Sequence, residues 1–142
     1  MDKNVELLNY IYQNSQMGLD TISHLLNVTE DAEYKNVLES QYREYDKIFQ
    51  ETKDKLDHFD IEGKDISFYQ KASADMMINF KTLTDKSPSH ISEMMIQGST
   101  MGVIESIKKL NKYKDADTDI RELGQRLLTF EEANIDQCKK YL

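Results

Sequence analysis

The stretch Gln13-Asn14-Ser15-Gln16-Met17-Gly18-Leu19 returns 84 positions later as Gln97-Gly98-Ser99-Thr100-Met101-Gly102-Val103, with Gln, Ser, Met and Gly in the same places. Both copies lie in segments whose apolar residues recur at helical spacing, and a glycine in a helix interior costs about 1 kcal/mol relative to alanine. A glycine at the same step of two helices therefore predicts a packing reason, the close approach of a neighbouring helix at each site. The echo also predicts an architecture: two related helical hairpins, each opened by one of these helices, joined by a long connection.

The rest of the chain has the composition for this plan. It contains one Pro and five Gly, is rich in helix-forming residues, and gives almost no strand signal. Five helices are expected. The first covers about residues 4–28, with Leu8, Ile11, Ile22 and Leu26 on one stripe. Thr29 is expected to cap the second, which has Glu30 and Asp31 in an acidic first turn and Tyr34, Leu38, Tyr45, Ile48, Leu56 and Phe59 on its buried side. A turn around Gly63 leads into a short third helix over about 66–83, the crossover. Ser87-Pro88 opens the fourth, because Ser caps the free amides and Pro at the first helical position loses no hydrogen bond. That helix reaches about Tyr113, residues 114–117 form a polar turn, and the fifth runs from Thr118 to about Tyr141, burying Ile120, Leu123, Leu127, Phe130 and Ile135. The fold class is all-α: an antiparallel four-helix bundle with an additional short helix in the crossover between the second and third bundle helices, one domain over 1–142.

Eighteen basic against 26 acidic residues give a net charge of −8, a field that repels phosphate backbones and anionic membrane surfaces, so nucleic acid is not an expected partner. No apolar run has the roughly 20 residues that span a bilayer, and residues 1–6 lack the basic and apolar blocks of a secretory signal; the expectation is a cytosolic chain without membrane contact. The single Cys138 cannot form an internal disulfide, and with only three His a closed zinc site cannot be assembled.

Two hairpins joined by a long crossover resemble the ferritin-like superfamily, in which each half supplies a Glu from its first helix and a Glu-x-x-His from its second to a dinuclear metal site. The chain is also similar to bacterial ferritin-like bundles described as a domain of unknown function, whose first and third bundle helices carry a Gly-Glu step. On this resemblance the Gly-Glu steps fall on Asn14-Ser15 and Gly98-Ser99, and the Glu-x-x-His motifs on Glu39-Ser40-Gln41-Tyr42 and Glu131-Glu132-Ala133-Asn134. Both first-helix carboxylates are replaced by hydroxyls and both imidazoles are gone. Only Glu39 and Glu131 keep a metal-binding type, too few for a pair of hard cations.

The resemblance thus implies a bundle that has lost its di-metal site, with Ser15, Glu39, Tyr42, Ser99, Glu131 and Asn134 as a buried polar layer in its place, no cofactor, and a non-catalytic structural or protein-interaction role. A homodimer in a bacterial cytoplasm, in stress or spore physiology, is part of that implication. The alternative is an iron- or manganese-binding oxidoreductase or storage protein using Glu39 and Glu131 with Asp20 and Glu105, which requires those carboxylates to converge at one depth. A third reading makes the Met and Tyr residues of the third and fourth helices a groove for a partner helix.

His90 and Glu93 have the spacing of an acid–base pair, but lie in the first turns of a helix, where Glu suits the dipole. His24 and His58 sit near helix C-termini, where an imidazolium is favoured. Met17, Met76, Met77, Met94, Met95 and Met101 suit core filling, with copper(I) binding the alternative. No strand-turn-helix signature surrounds any Ser, and no glycine-rich phosphate loop is present, which disfavours a hydrolase or nucleotide enzyme.

Overall fold

A computed structural model of the chain describes residues 2–59, 79–81 and 83–142, and among them every regular element is helical. Four long helices carry the fold: α1 (Lys3–Val28), α2 (Ala32–His58), α3 (Pro88–Lys112) and α4 (Thr118–Lys139). The short crossover helix expected over 66–83 lies outside the described residues except at 79–81, which are helical.

The helix starts follow from their caps. Asp2 accepts from the Asn4 amide at 2.8 Å, and Ser87 accepts from His90 N with Pro88 opening the first turn of α3. Thr29 does not cap α2. It ends α1, its amide donating to the Leu25 carbonyl at 2.9 Å, and the cap is Asp31, which accepts from Tyr34 N at 2.8 Å. Asp31 combines in one residue the capping oxygen and the negative charge that the helix dipole favours. At the far end of α3, Arg121 reaches back from α4 and donates to the carbonyls of Leu110 and Tyr113, both at 2.8 Å, satisfying acceptors that a helix C-terminus leaves free.

α1 packs mainly on α2, and α3 on α4. Tyr12 meets Phe49 with ring centroids 4.7 Å apart while Gly18 lies against Tyr45, so numbers fall along α2 as they rise along α1. The same reversal relates α3 to α4, where Gly102 faces Glu131 and Leu110 faces Gly124. It also relates α2 to α4, through Gln41 with Gln137, Tyr45 with Glu131 and Lys55 with Asp119. The enclosed core takes Leu8, Ile11, Ile22, Tyr34, Leu38 and Ile48 to within 0% exposure, each large apolar side chain stabilising by about 1.5–3 kcal/mol. Leu26 and Phe59 pack only at the core's edge, and Leu25, one position earlier, takes the inward place on α1.

The two echoed glycines have the packing role that their sequence positions suggested. A Cβ at Gly18 would stand 2.5–2.7 Å from the Tyr45 ring, and one at Gly102 would press on the Glu131 carboxyl group, 2.6 Å from Oε1 and 2.7 Å from Cδ. Neither neighbour is free to swing away: the Tyr45 ring is held edge-on by Phe130 and hydrogen-bonded to Glu131, and the Glu131 carboxyl is held from two sides. Overpacking of this kind costs about 1–3 kcal/mol, more than the roughly 1 kcal/mol that helix propensity returns for Gly→Ala. Gly18→Ala and Gly102→Ala should therefore each lower the urea midpoint at unchanged m-value, against the rise that an unconstrained helical glycine gives.

Candidate functional site

The buried polar chemistry concentrates where α1, α2, α3 and α4 meet around one carboxyl group. Glu131 of α4 is 2% exposed. Asn14 Nδ2, from α1, donates to its Oε1 at 2.9 Å, and the Tyr45 hydroxyl, from α2, donates to its Oε2 at 2.9 Å. The same Asn14 nitrogen lies 3.0 Å from the Tyr10 hydroxyl, which in turn reaches Ser106 Oγ at 3.0 Å and the Gly102 carbonyl at 3.3 Å on α3. One hydrogen-bonded cluster thus joins all four helices. The Asn134 side chain stands beside the Tyr45 hydroxyl, but its amide nitrogen makes no hydrogen bond of good geometry.

Burial sets the electrostatics. Loss of water pushes the Glu131 carboxyl up to about 7, although the Asn14 and Tyr45 hydrogen bonds both pull it down. Burial, and then the charge of Glu131 beside it, hold the Tyr45 phenol well above its ordinary range. Alongside lies a cavity of about 60 Å³, with Asn14, Tyr45, Ser99 and Glu131 on its polar side.

The six positions expected to form a polar layer are not brought together as a set. Glu131, Asn134 and Ser99 are buried, and Glu131 and Ser99 share the cavity. Ser15 is buried but turned onto its own helix, donating to the Ile11 carbonyl at 2.7 Å. Tyr42 is half-buried at the edge of the core. Glu39 is exposed and belongs to no buried layer, because α2 turns Leu38 and Gln41 inward and leaves positions 39 and 40 facing water. The residues that do hold Glu131 are Asn14, one position before Ser15, and Tyr45, one turn beyond Tyr42. One residue rotates a helical side chain by about 100°, and one turn keeps the face while shifting the depth, so neither choice is fixed by spacing alone. The signals that could have found them were the Tyr10/Asn14 pair at i,i+4 and Gly18, whose open step leaves room for the Tyr45 ring.

The alternative ligand set is not gathered into one group among the described residues. Glu39 and Asp20 are exposed, Glu105 pairs with Lys108 at 3.3 Å, and no group of three or more His, Cys, Asp or Glu able to hold a metal occurs among the described residues. His90 and Glu93 form an exposed i,i+3 contact of 3.8 Å. His24 makes a tie across the fold, its Nε2 lying 3.1 Å from the Phe80 carbonyl. Cys138 is buried in a second polar cluster near Gln41, Tyr34 and Ser92, and burial pushes its thiol up.

A group whose folded pKa of about 7 exceeds its ordinary 4.5 binds more protons folded than unfolded between those values. Stability on its account is highest below about pH 4.5, falls through the interval and is flat above pH 7, a total of about 3 kcal/mol. Glu131→Gln, which keeps the shape and lets the Tyr45 hydroxyl turn to accept, should be more stable than the wild type at pH 8. The advantage should shrink steadily and vanish near pH 4.5 in paired denaturant titrations.

No family model matches the chain, and no curated protein matches it. Among solved structures, a fragment from Deinococcus radiodurans described as DUF305 shares the fold with a TM-score of 0.80, at 12% sequence identity, over 99% of this chain and 95% of that one. At that identity the likeness is one of fold alone. No helix among the described residues is long and apolar enough to cross a membrane. Among its described residues the chain is all-helical, and its fold is similar to that of the DUF305 fragment.

Proposed function

We propose that the chain is a ferritin-like four-helix bundle, with its short additional helix in the crossover, that has lost the dinuclear site and works as a non-catalytic structural or protein-interaction module. The observation that carries this is the way Glu131 is held. Where a metal ligand of the ferritin-like plan is expected, the carboxyl takes an amide donor and a phenol donor from neighbouring helices, each at 2.9 Å. These donors do what a cation does for a buried carboxylate's lone pairs, and they come with the fold. A dinuclear centre needs several charged oxygens, and usually imidazoles, around one point. Asn14 and Tyr45 turn donor hydrogens toward Glu131, and supply neither the further carboxylates nor the imidazoles that such a centre uses.

The test is elemental analysis of protein purified from iron- and manganese-supplemented cells, alongside Glu131→Gln. We expect far less than one metal per chain in both and no stabilisation by added iron(II) or manganese(II). Near-stoichiometric metal in the wild type that disappears in Glu131→Gln would sink the proposal and reinstate an oxidoreductase or storage role.

A further inference from the structure

The layer around Glu131 is hydrogen-bonded but not charge-balanced. Each carboxyl oxygen accepts one bond, from Asn14 and from Tyr45, whereas a carboxylate offers about four lone-pair sites. Among the described residues no ion pair reaches it. Arg126, on the same helix as Glu131, pairs at the surface with Glu44 at 3.2 Å, and Lys55 of α2 with Asp119 at 2.8 Å. A carboxylate held in the interior without a counter-charge favours whatever supplies a proton or a cation.

The cavity beside it decides which cation fits. Its volume of about 60 Å³ exceeds the roughly 10–15 Å³ that one water needs by the same measure, so it admits a molecule of a few non-hydrogen atoms. Among the described residues the lining also has an apolar part, a wall that includes Ile22, Phe80 and Met95. A hard inorganic cation asks for six or more oxygens, which that wall cannot give. An ammonium group on a short alkyl tail matches both sides. Its N–H donors suit the spare lone pairs of Glu131 and the Ser99 hydroxyl, its tail suits the apolar wall, and the Phe80 and Tyr45 rings attract cations. Met17 and Met101, half-buried in the lining, are flexible side chains that can move to admit it.

We propose that the cavity beside Glu131 is a binding site for a small primary alkylammonium ion, with Glu131 as its counter-charge. This goes beyond the scaffold reading and does not depend on it, because the site needs neither a metal nor a protein partner. The groups that face Glu131 are Asn14, with Tyr10 behind it, from α1, Tyr45 from α2, and Ser99 and Gly102 from α3. Among the described residues, Glu131 is the carboxyl group of this cavity, so its charge sets the pH dependence of binding there.

The experiment is a titration of the wild type and Glu131→Gln with methylammonium and ethylammonium chloride. Sodium chloride and tetramethylammonium chloride at equal ionic strength serve as controls, and both calorimetry and the carboxyl ¹³C resonance of Glu131 are followed. We expect saturable binding with a dissociation constant of about 1 mM for ethylammonium and about 10 mM for methylammonium, about tenfold tighter at pH 8 than at pH 6 because the carboxylate is the form that binds. It should be lost in Glu131→Gln and absent with either control. Saturating ligand should lower the apparent pKa of Glu131 by about 1 unit or more. The proposal is overturned if the alkylammonium ions do not bind, if sodium or tetramethylammonium acts equally, or if the ¹³C titration midpoint stays put. Metal found in the elemental analysis would instead strike the scaffold reading, so the two can fail separately.

Discussion

The carboxyl group of Glu131, gripped by an amide from α1 and a phenol from α2 with the backbone of α3 at Gly102 lying on it, is the contact on which the arrangement of the four helices depends. Apolar stripes specify which faces of the helices meet, but a stripe tolerates a slide of one turn with little loss of buried area. A buried carboxyl does not. Sliding α4 along its neighbours by one turn removes both donors at once and leaves an interior acid unpaired, which costs several kcal/mol. The register of the bundle is therefore set by one polar point inside an apolar frame. The flanking bonds of Asn14 to Tyr10 and of Tyr10 to Ser106 extend that constraint to α3.

The same group stabilises little at neutral pH. Its carboxyl, pushed up to about 7, is far easier to protonate than an exposed one, so part of what the apolar core contributes offsets the cost of keeping an ionisable group dry. A core of Leu and Ile at this position would give a more stable bundle. What an apolar residue could not give is a single acid, beside a cavity, whose charge depends on conditions close to neutrality. Register and responsiveness come from the same carboxyl group, and an isosteric amide separates them by keeping the hydrogen bonds while removing the charge.

Much of this frame was legible in the sequence. The helical periods of Leu8, Ile11 and Ile22, the Ser87-Pro88 start and the glycines at 18 and 102 carry through to helices, caps and close approaches in the structure. What the sequence could not resolve were differences of one residue. Asn14 and Ser15 are both small and polar, and only their 100° difference in direction decides that Asn14 crosses to Glu131 while Ser15 folds back on the Ile11 carbonyl. Tyr42 and Tyr45 share a face but lie one turn apart in depth. Glu39 fitted a motif by spacing, yet the rotation of α2 puts it in water. Periodicity fixes a face to within a residue or so, and hydrogen bonds are made or lost within that margin.

The two hairpins use their echoed glycine for opposite partners. In one, Gly18 makes room for a phenol, and in the other, Gly102 makes room for a carboxylate. Had both halves seated carboxylates, the two would face one another across the core and repel, and only a bound cation or a shared proton could hold them together. A phenol facing a carboxylate needs neither, because the Tyr45 hydroxyl donates straight to Glu131. The difference of one side chain between the two hairpins thus gives the buried carboxyl a hydrogen-bond donor in place of a second negative charge. The likeness to the DUF305 fragment, with a TM-score of 0.80 at 12% identity, is one of backbone frame, and in this chain the hydrogen-bonded phenol and carboxyl pair lies inside that frame.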